Sequence, residues 1–187
     1  MATLFVDKID PQSGTALEIG TSGDTITVPS GATFNVAGTP GTNIGKILQV
    51  VSANTTSATT ITAQTFVDSG ITADITPTSS SSKVLILISC QCFHTLASRA
   101  SSINGVNILR DSTEIYGGGN NNAMGLYTPS TTNFQMWGMY ALSYLDSPAT
   151  GSAITYKVQG RIETTGESIT FQYGSMNSNI HLLEVQA

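Results

Sequence analysis

The stretch KVLILISCQCFHT, residues 83 to 95, sets Cys90, Cys92 and His94 two positions apart. In an extended strand such residues point to one side, so two thiols and an imidazole stand in a row. Neighbours at that spacing can chelate together, but a closed zinc site takes a fourth ligand from elsewhere, and the only other histidine is His181. The same strand face carries Val84, Ile86 and Ile88, and cysteine in an apolar strand behaves as a small hydrophobe. The row therefore reads as core with no metal assigned, and both thiols read as reduced because i and i+2 Cα atoms lie too far apart for an easy bridge.

Hydrolysis of a glycan takes two carboxylates roughly 5 to 9.5 Å apart across a cleft. The chain offers Asp111, Glu114, Asp146, Glu163, Glu167 and Glu184, each at an expected turn or exposed strand position where solvation is the ordinary role. No Gly-x-Ser-x-Gly elbow and no phosphate-cradling loop is present. With two histidines in the chain, a nucleophilic triad has little to draw on. The expectation is a protein that is not an enzyme and has no cofactor. What remains is contact by loops. The segment YGGGNNNAMGLYTPSTTN, residues 116 to 133, is the longest unpatterned connection, and Tyr116, Asn120, Asn121, Asn122 and Tyr127 offer flat rings and amides of the kind that hold sugars.

The elements that must position these groups read as strands throughout. After residue 45 the segments GKILQVVSA, TTITAQTFVDSGITADITP, SSSSKVLILISCQCF, GVNILRDSTEIYGGG, FQMWGMYALSYLD, SAITYKVQGRI, SITFQYG and NIHLLEVQA end in Pro, Gly or Ser clusters. About eight strands at this spacing predict an antiparallel sandwich or jelly roll. Within FQMWGMYALSYL, Met136, Gly138, Tyr140, Leu142 and Tyr144 alternate, which predicts a buried strand over a helix.

Before residue 45 the pattern is finer. Leu17 and Ile19, Ile26 and Val28, Phe34 and Val36 form three one-sided apolar pairs separated by Gly-containing turns. Strands this short cannot enclose a core alone, so sister chains or the rest of this chain must cover that face. The expected organisation is a β-repeat stem with linker over residues 1–45 and a sandwich head over residues 46–187.

Composition restricts partners. Hydrophobic residues make up 40% of the 187, enough for a real core, while charged residues make up 10%, against about 25% in typical soluble domains. The surface must then be dressed with Ser, Thr, Asn, Gln and Gly, as suits extracellular β proteins and virion parts. Net charge is −5 and Lys plus Arg total 7, scattered along the chain, which argues against nucleic acid. MATLFVDKID lacks an apolar run of signal-peptide length, and no stretch approaches the roughly 20 apolar residues of a membrane helix. Synthesis in a cytoplasm without membrane insertion is expected.

The phrases VDKIDPQSGTALEIG, SGDTITVPSGATFNVAGT, LDSPATGSAITYKVQGRIETTG and HLLEVQA resemble repeat and tip elements of tailed-phage appendage proteins of the marine and cyanobacterial type. These are phrases of fold, not of chemistry. The resemblance implies a homotrimer with a thin amino-terminal stem and a head like the trimeric jelly roll of the tumour-necrosis-factor type, whose last strand lies near the threefold axis. It would place Ile180, Leu182 and Val185 close to the trimer interface. Leu4, Phe5, Val6 and Ile9 would dock to other virion proteins, Leu17 to Val36 would trimerise, and the head loops would meet a host cell-surface glycan or protein. A capsid decoration protein and a soluble carbohydrate-binding module are the alternative readings.

Overall fold

The computed structural model describes residues 23, 25, 27–33, 47–96, 101–117, 122–127 and 133–186. The chain divides into two units, Met1–Thr42 and Asn43–Ala187. In the second unit lie β1 (Ile47–Thr55), β2 (Thr59–Ile61), β3 (Val67–Ile75), β4 (Lys83–Leu96), β5 (Ser101–Arg110), β6 (Thr113–Tyr116), β7 (Asn122–Tyr127), β8 (Phe134–Asp146), β9 (Ile154–Arg161), β10 (Ser168–Phe171) and β11 (Ser178–Val185), with one short 3-10 turn at Tyr173–Ser175. Every pairing among them is antiparallel.

Two sheets make a β-sandwich. In the six-stranded sheet β4 is the hub: β8 pairs with it along its length, from Val84 opposite Asp146 to Leu96 opposite Phe134. On its other side β11 takes Lys83–Ser89 and carries β1, while β10 takes Cys92–Thr95 and carries β2. The five-stranded sheet runs β3-β9-β5-β6, with β7 also on β5.

Period-two burial fixes which side chains meet between the sheets. Val84, Ile86, Ile88, Cys90 and Cys92 of β4, Ile180 and Leu182 of β11, and Ile169 and Phe171 of β10 face Ile71, Ala73 and Ile75 of β3, Val106 and Ile108 of β5, and Tyr156 and Val158 of β9. At Gly160 on β9 the facing sheet comes close: a Cβ there would stand 2.6 Å from the Phe171 ring. Absence of a side chain lets the ring lie flat over the opposite strand. The β5–β6 hairpin turns on Asp111, which adopts φ 54°, and whose carboxylate accepts from the Thr155 backbone N–H at 2.9 Å. An aspartate tolerates that left-handed conformation because its short side chain bonds locally.

Three features differ from the sequence expectation. Eleven strands form where about eight were expected, because β2, β6 and β7 are short and carry weak alternation. The segment 116–133 holds a strand, β7, which pairs with Ser101–Gly105 of β5. β8 is an edge strand: Met136, Gly138, Tyr140, Leu142 and Tyr144 do turn inward, but the alternate residues face solvent.

Candidate functional site

The row Cys90, Cys92, His94 lies on the inner face of β4, fully enclosed. His94 Nδ1 is 2.7 Å from the amide nitrogen of Asn104 and its Nε2 is 3.1 Å from the Tyr140 hydroxyl, so both ring nitrogens are occupied. Burial holds its pKa down at about 4, leaving a neutral imidazole that bridges the sheets. Burial, followed by the neighbouring Cys90, pushes the Cys92 thiol far above the range in which it ionises. Among the described residues no group of three His, Cys, Asp or Glu side chains is disposed to hold a metal. These residues act as core.

Asp111, Glu114, Asp146 and Glu184 are held by hydrogen bonds to their carboxylates. Asp146 accepts two bonds from Arg110 Nη1, at 3.1 and 2.9 Å, and one from the Tyr156 hydroxyl at 2.7 Å. Glu184 accepts from Gln49 Nε2 at 2.7 Å and from the backbone and hydroxyl of Thr78 at 2.8 and 2.7 Å. Burial acts strongest on Glu184 and pushes its pKa up, but bonds from Gln49, Ser82 and Thr78 together pull it down to about 2. Asp111 caps a turn, Glu114 accepts from Asn107 at 2.8 Å, Glu163 lends its carbonyl to Gln64, and Glu167 is enclosed just before β10. These are fastenings of the sandwich.

The expected contact loop is split between elements. Tyr116 ends β6 with its ring 5.7 Å from that of Tyr144, whereas Tyr127 ends β7 and is 81% exposed. Asn122 begins β7 opposite Gly105. Asn120 and Asn121 lie outside the described residues, as do Leu4, Phe5, Val6, Ile9, Leu17, Ile19, Ile26, Phe34 and Val36. Val28 is described and exposed.

On β11, strand parity separates the three residues expected near an axis. Ile180 and Leu182 are enclosed in their own sandwich and have no side chain to offer a neighbour. Val185 is on the opposite face with Asn179, His181 and Leu183.

That opposite face is the feature that reading the residues one motif at a time missed. Across four strands Val50 stands opposite Leu183, Leu183 opposite Leu85, and Leu85 opposite Leu145, all pointing away from the core. Farther along, Trp137 stands opposite Phe93, with ring centroids 5.1 Å apart, and Tyr173 stacks on Phe93 at 4.3 Å. Trp137 is 59%, Met139 61%, Val50 60% and Leu145 48% exposed. Beside them Gln91 is enclosed, and among the described residues its Oε1 finds no hydrogen-bond donor. Along the strands of this face the only acidic or basic side chains among the described residues are Lys83 and His181, the latter 2.8 Å from the Ser52 hydroxyl. The row from Val50 to Leu145 and the cluster of Phe93, Trp137 and Tyr173 are two apolar patches, separated by the rows Ser52, His181, Leu87, Ser143 and Asn54, Asn179, Ser89, Ala141, and exposed apolar patches are where interaction sites are sought. The signal of this face was in KVLILI and HLLEV, where apolar residues occupy both parities and so require cover on both faces.

No protein-family model matches the chain, and no curated protein matches it at a significant level.

Proposed function

We propose that the chain is a structural protein of a virion, a homotrimeric fibre or appendage on the particle exterior whose head meets a host-surface glycan or protein. The observation that carries the assembly is the apolar row Val50, Leu183, Leu85, Leu145 that crosses the outward face of the six-stranded sheet from β1 to β8, with Met139 and Trp137 exposed farther along β8. Covering it with sister chains removes large apolar side chains from water, worth about 25 cal/mol per Å² of apolar area. The virion setting rests on the resemblance of the stem and tip phrases to phage appendages. A jelly-roll head of the tumour-necrosis-factor type accords with two antiparallel sheets in which the last strand lies beside β4 at the middle of the apolar sheet. Tyr127, beyond that face on β7 of the other sheet, stays available for a receptor.

The test is the solution mass of the full chain by light scattering, together with detection of the chain in purified particles. The expected mass is three times the 19.5 kDa of one chain. A monomer at micromolar concentration would overturn the reading.

A further inference from the structure

We propose that the aromatic patch of Phe93, Trp137 and Tyr173 binds a neutral sugar, which lays its C–H face on Trp137 and donates a hydroxyl proton to Gln91 Oε1. This binding rests on the reading of the head as the part that meets a host surface. It lies apart from Tyr127, which is on β7 of the other sheet.

Three rings meet on the outside of the six-stranded sheet. Phe93 on β4 has Trp137 opposite it on β8, and Tyr173, from the 3-10 turn after β10, stacks on it with centroids 4.3 Å apart. Phe93 is enclosed beneath, while Trp137 and Tyr173 are 59% and 40% exposed. The buried ring braces the other two, so they lose little freedom when something packs on them. Trp137 and Tyr173 meet at 62°, which makes a corner: one wall takes the face of a ring-shaped ligand and the other its edge.

The turn that presents Tyr173 is strained. Gln172 and Ser175 take φ of 54° and 59°, a left-handed backbone that side chains rarely adopt. Such strain persists where the surroundings hold it, and it gathers at ligand sites. Here the Gln172 N–H donates to the Gln91 carbonyl at 3.0 Å, which ties the turn to β4.

Gln91 also supplies a polar atom in want of a partner. It stands two positions before Phe93, on the same outward side and about 7 Å along the strand. It is 8% exposed, and among the described residues its Oε1 finds no donor. An enclosed acceptor left without a donor is costly, and a ligand hydroxyl would supply one. The cross-strand neighbour of Gln91 is Met139, a flexible side chain that is itself exposed, and its displacement opens Oε1 to a ligand lying on Trp137.

The groups around the rings favour a sugar over an apolar partner. Outward residues beside the patch are Ser89 and Asn179 on the side of Gln91, Thr95 and Gln135 beyond Phe93, and Thr170 of β10, bonded to Thr60 at 2.9 Å. A sugar carries C–H faces that rings attract and hydroxyl edges that amides and hydroxyls bond. A purely apolar partner satisfies the rings and leaves Gln91 without a donor. Sister chains on the row from Val50 to Leu145 act at a distance from this patch, since Trp137 and Leu145 lie about 26 Å apart along β8.

Trp137 is the only tryptophan of the chain, so intrinsic fluorescence reports this patch alone. The test is a fluorescence titration of the full chain with linear oligomers of glucose, galactose, mannose and N-acetylglucosamine, up to about 10 mM, above the range of weak binding. A saturable change with at least one of them is expected. Gln91→Leu keeps the side-chain bulk and removes the unpaired oxygen, so the fold should stand by circular dichroism while the sugar binds about tenfold or more weakly. Tyr127→Ala should leave the titration as it is. No saturable change with any of the oligomers, or equal affinity in Gln91→Leu, would overturn the inference. So would acrylamide quenching that finds Trp137 shielded in the assembled chain and open on dilution, which would give the patch to a sister chain. The reading of the chain as a virion protein fails separately, on a monomeric mass or on absence from particles, and neither moves this titration.

Discussion

The two outward faces of one sandwich obey different rules. On the five-stranded sheet polar side chains of β3 and β9 are bonded to each other: Lys157 Nζ reaches Asp68 at 3.0 Å, Gln159 reaches the same carboxylate at 2.6 Å, and Thr155 reaches Asp74 at 2.6 Å. The Gln159 bond, ahead of the contributions from Lys157, holds the Asp68 carboxyl below its ordinary value. On the six-stranded sheet the outward positions include the apolar Val50, Leu183, Leu85, Leu145, Met139 and Trp137 beside polar ones such as Ser52, Asn179 and Ser143. Folding of one chain explains the first face, since water covers it and short polar pairs cost little. It does not explain the second, because nothing in the sandwich core requires leucine on the outside of β4. The difference teaches that a sheet can be finished for folding and unfinished for function.

The comparison breaks most sharply if a charge is set into the apolar row. Leu145→Asp should weaken self-association by about 100-fold or more, since an unpaired carboxylate in a desolvated contact costs several kcal/mol. Gln159→Asp on the other face should leave the mass unchanged. Sedimentation of both variants decides, and equal loss from both would erase the distinction between the faces.

The interior common to both faces can be tested next. Gly160→Ala places a methyl 2.6 Å from Phe171 and should destabilise the fold by about 1–3 kcal/mol, read as a lower denaturant midpoint. Unchanged stability would mean that the two sheets are less tightly interlocked there than the distances require.

Acid should loosen the edge that carries β1. Glu184 ties Gln49 of β1 and Thr78 of the loop between β3 and β4 to β11, directly behind the row that contains Val50. Its folded pKa of about 2 lies below the ordinary 4.5, so it contributes stability that is present in full above about 4.5 and disappears as the pH falls through 2. Glu184→Gln should lower stability at neutral pH and flatten its fall over that window. A thermal midpoint profile identical to that of the natural chain would refute the assignment.

The smallest effect belongs to the polar face. Lys157→Ala removes an ion pair whose partner Asp68 is half exposed, and should cost about 0.2–1 kcal/mol, diminishing further in high salt. A larger loss by chemical denaturation would show that the pair does more than dress the surface.

Much of the fold was legible in residue order. Alternation in SAITYKVQGRI led to β9, because strand parity is local, whereas the turn at RDST that splits GVNILRDSTEIYGGG into β5 and β6 went unread. The short β2 and β7 were not, since pairing with β10 and β5 defines them more than their own side chains do. The row of Cys90, Cys92 and His94 was readable as a strand face, whereas its enclosure by Asn104 and Tyr140 brings together residues up to 46 positions apart. Ile180 and Leu182 show how parity without a partner sheet misleads: both are apolar, and only the position of β4 and β3 decides that they face inward.

By itself, then, the sequence determined that this is an antiparallel all-β protein with few charges, because strand period, turn residues and composition act over short range. Which apolar residues close the core and which wait for a neighbour was decided by tertiary structure alone. Val50, Leu85, Leu145 and Leu183 are as hydrophobic as Ile180 and Leu182, and differ from them only in the side of the sheet on which pairing register sets them.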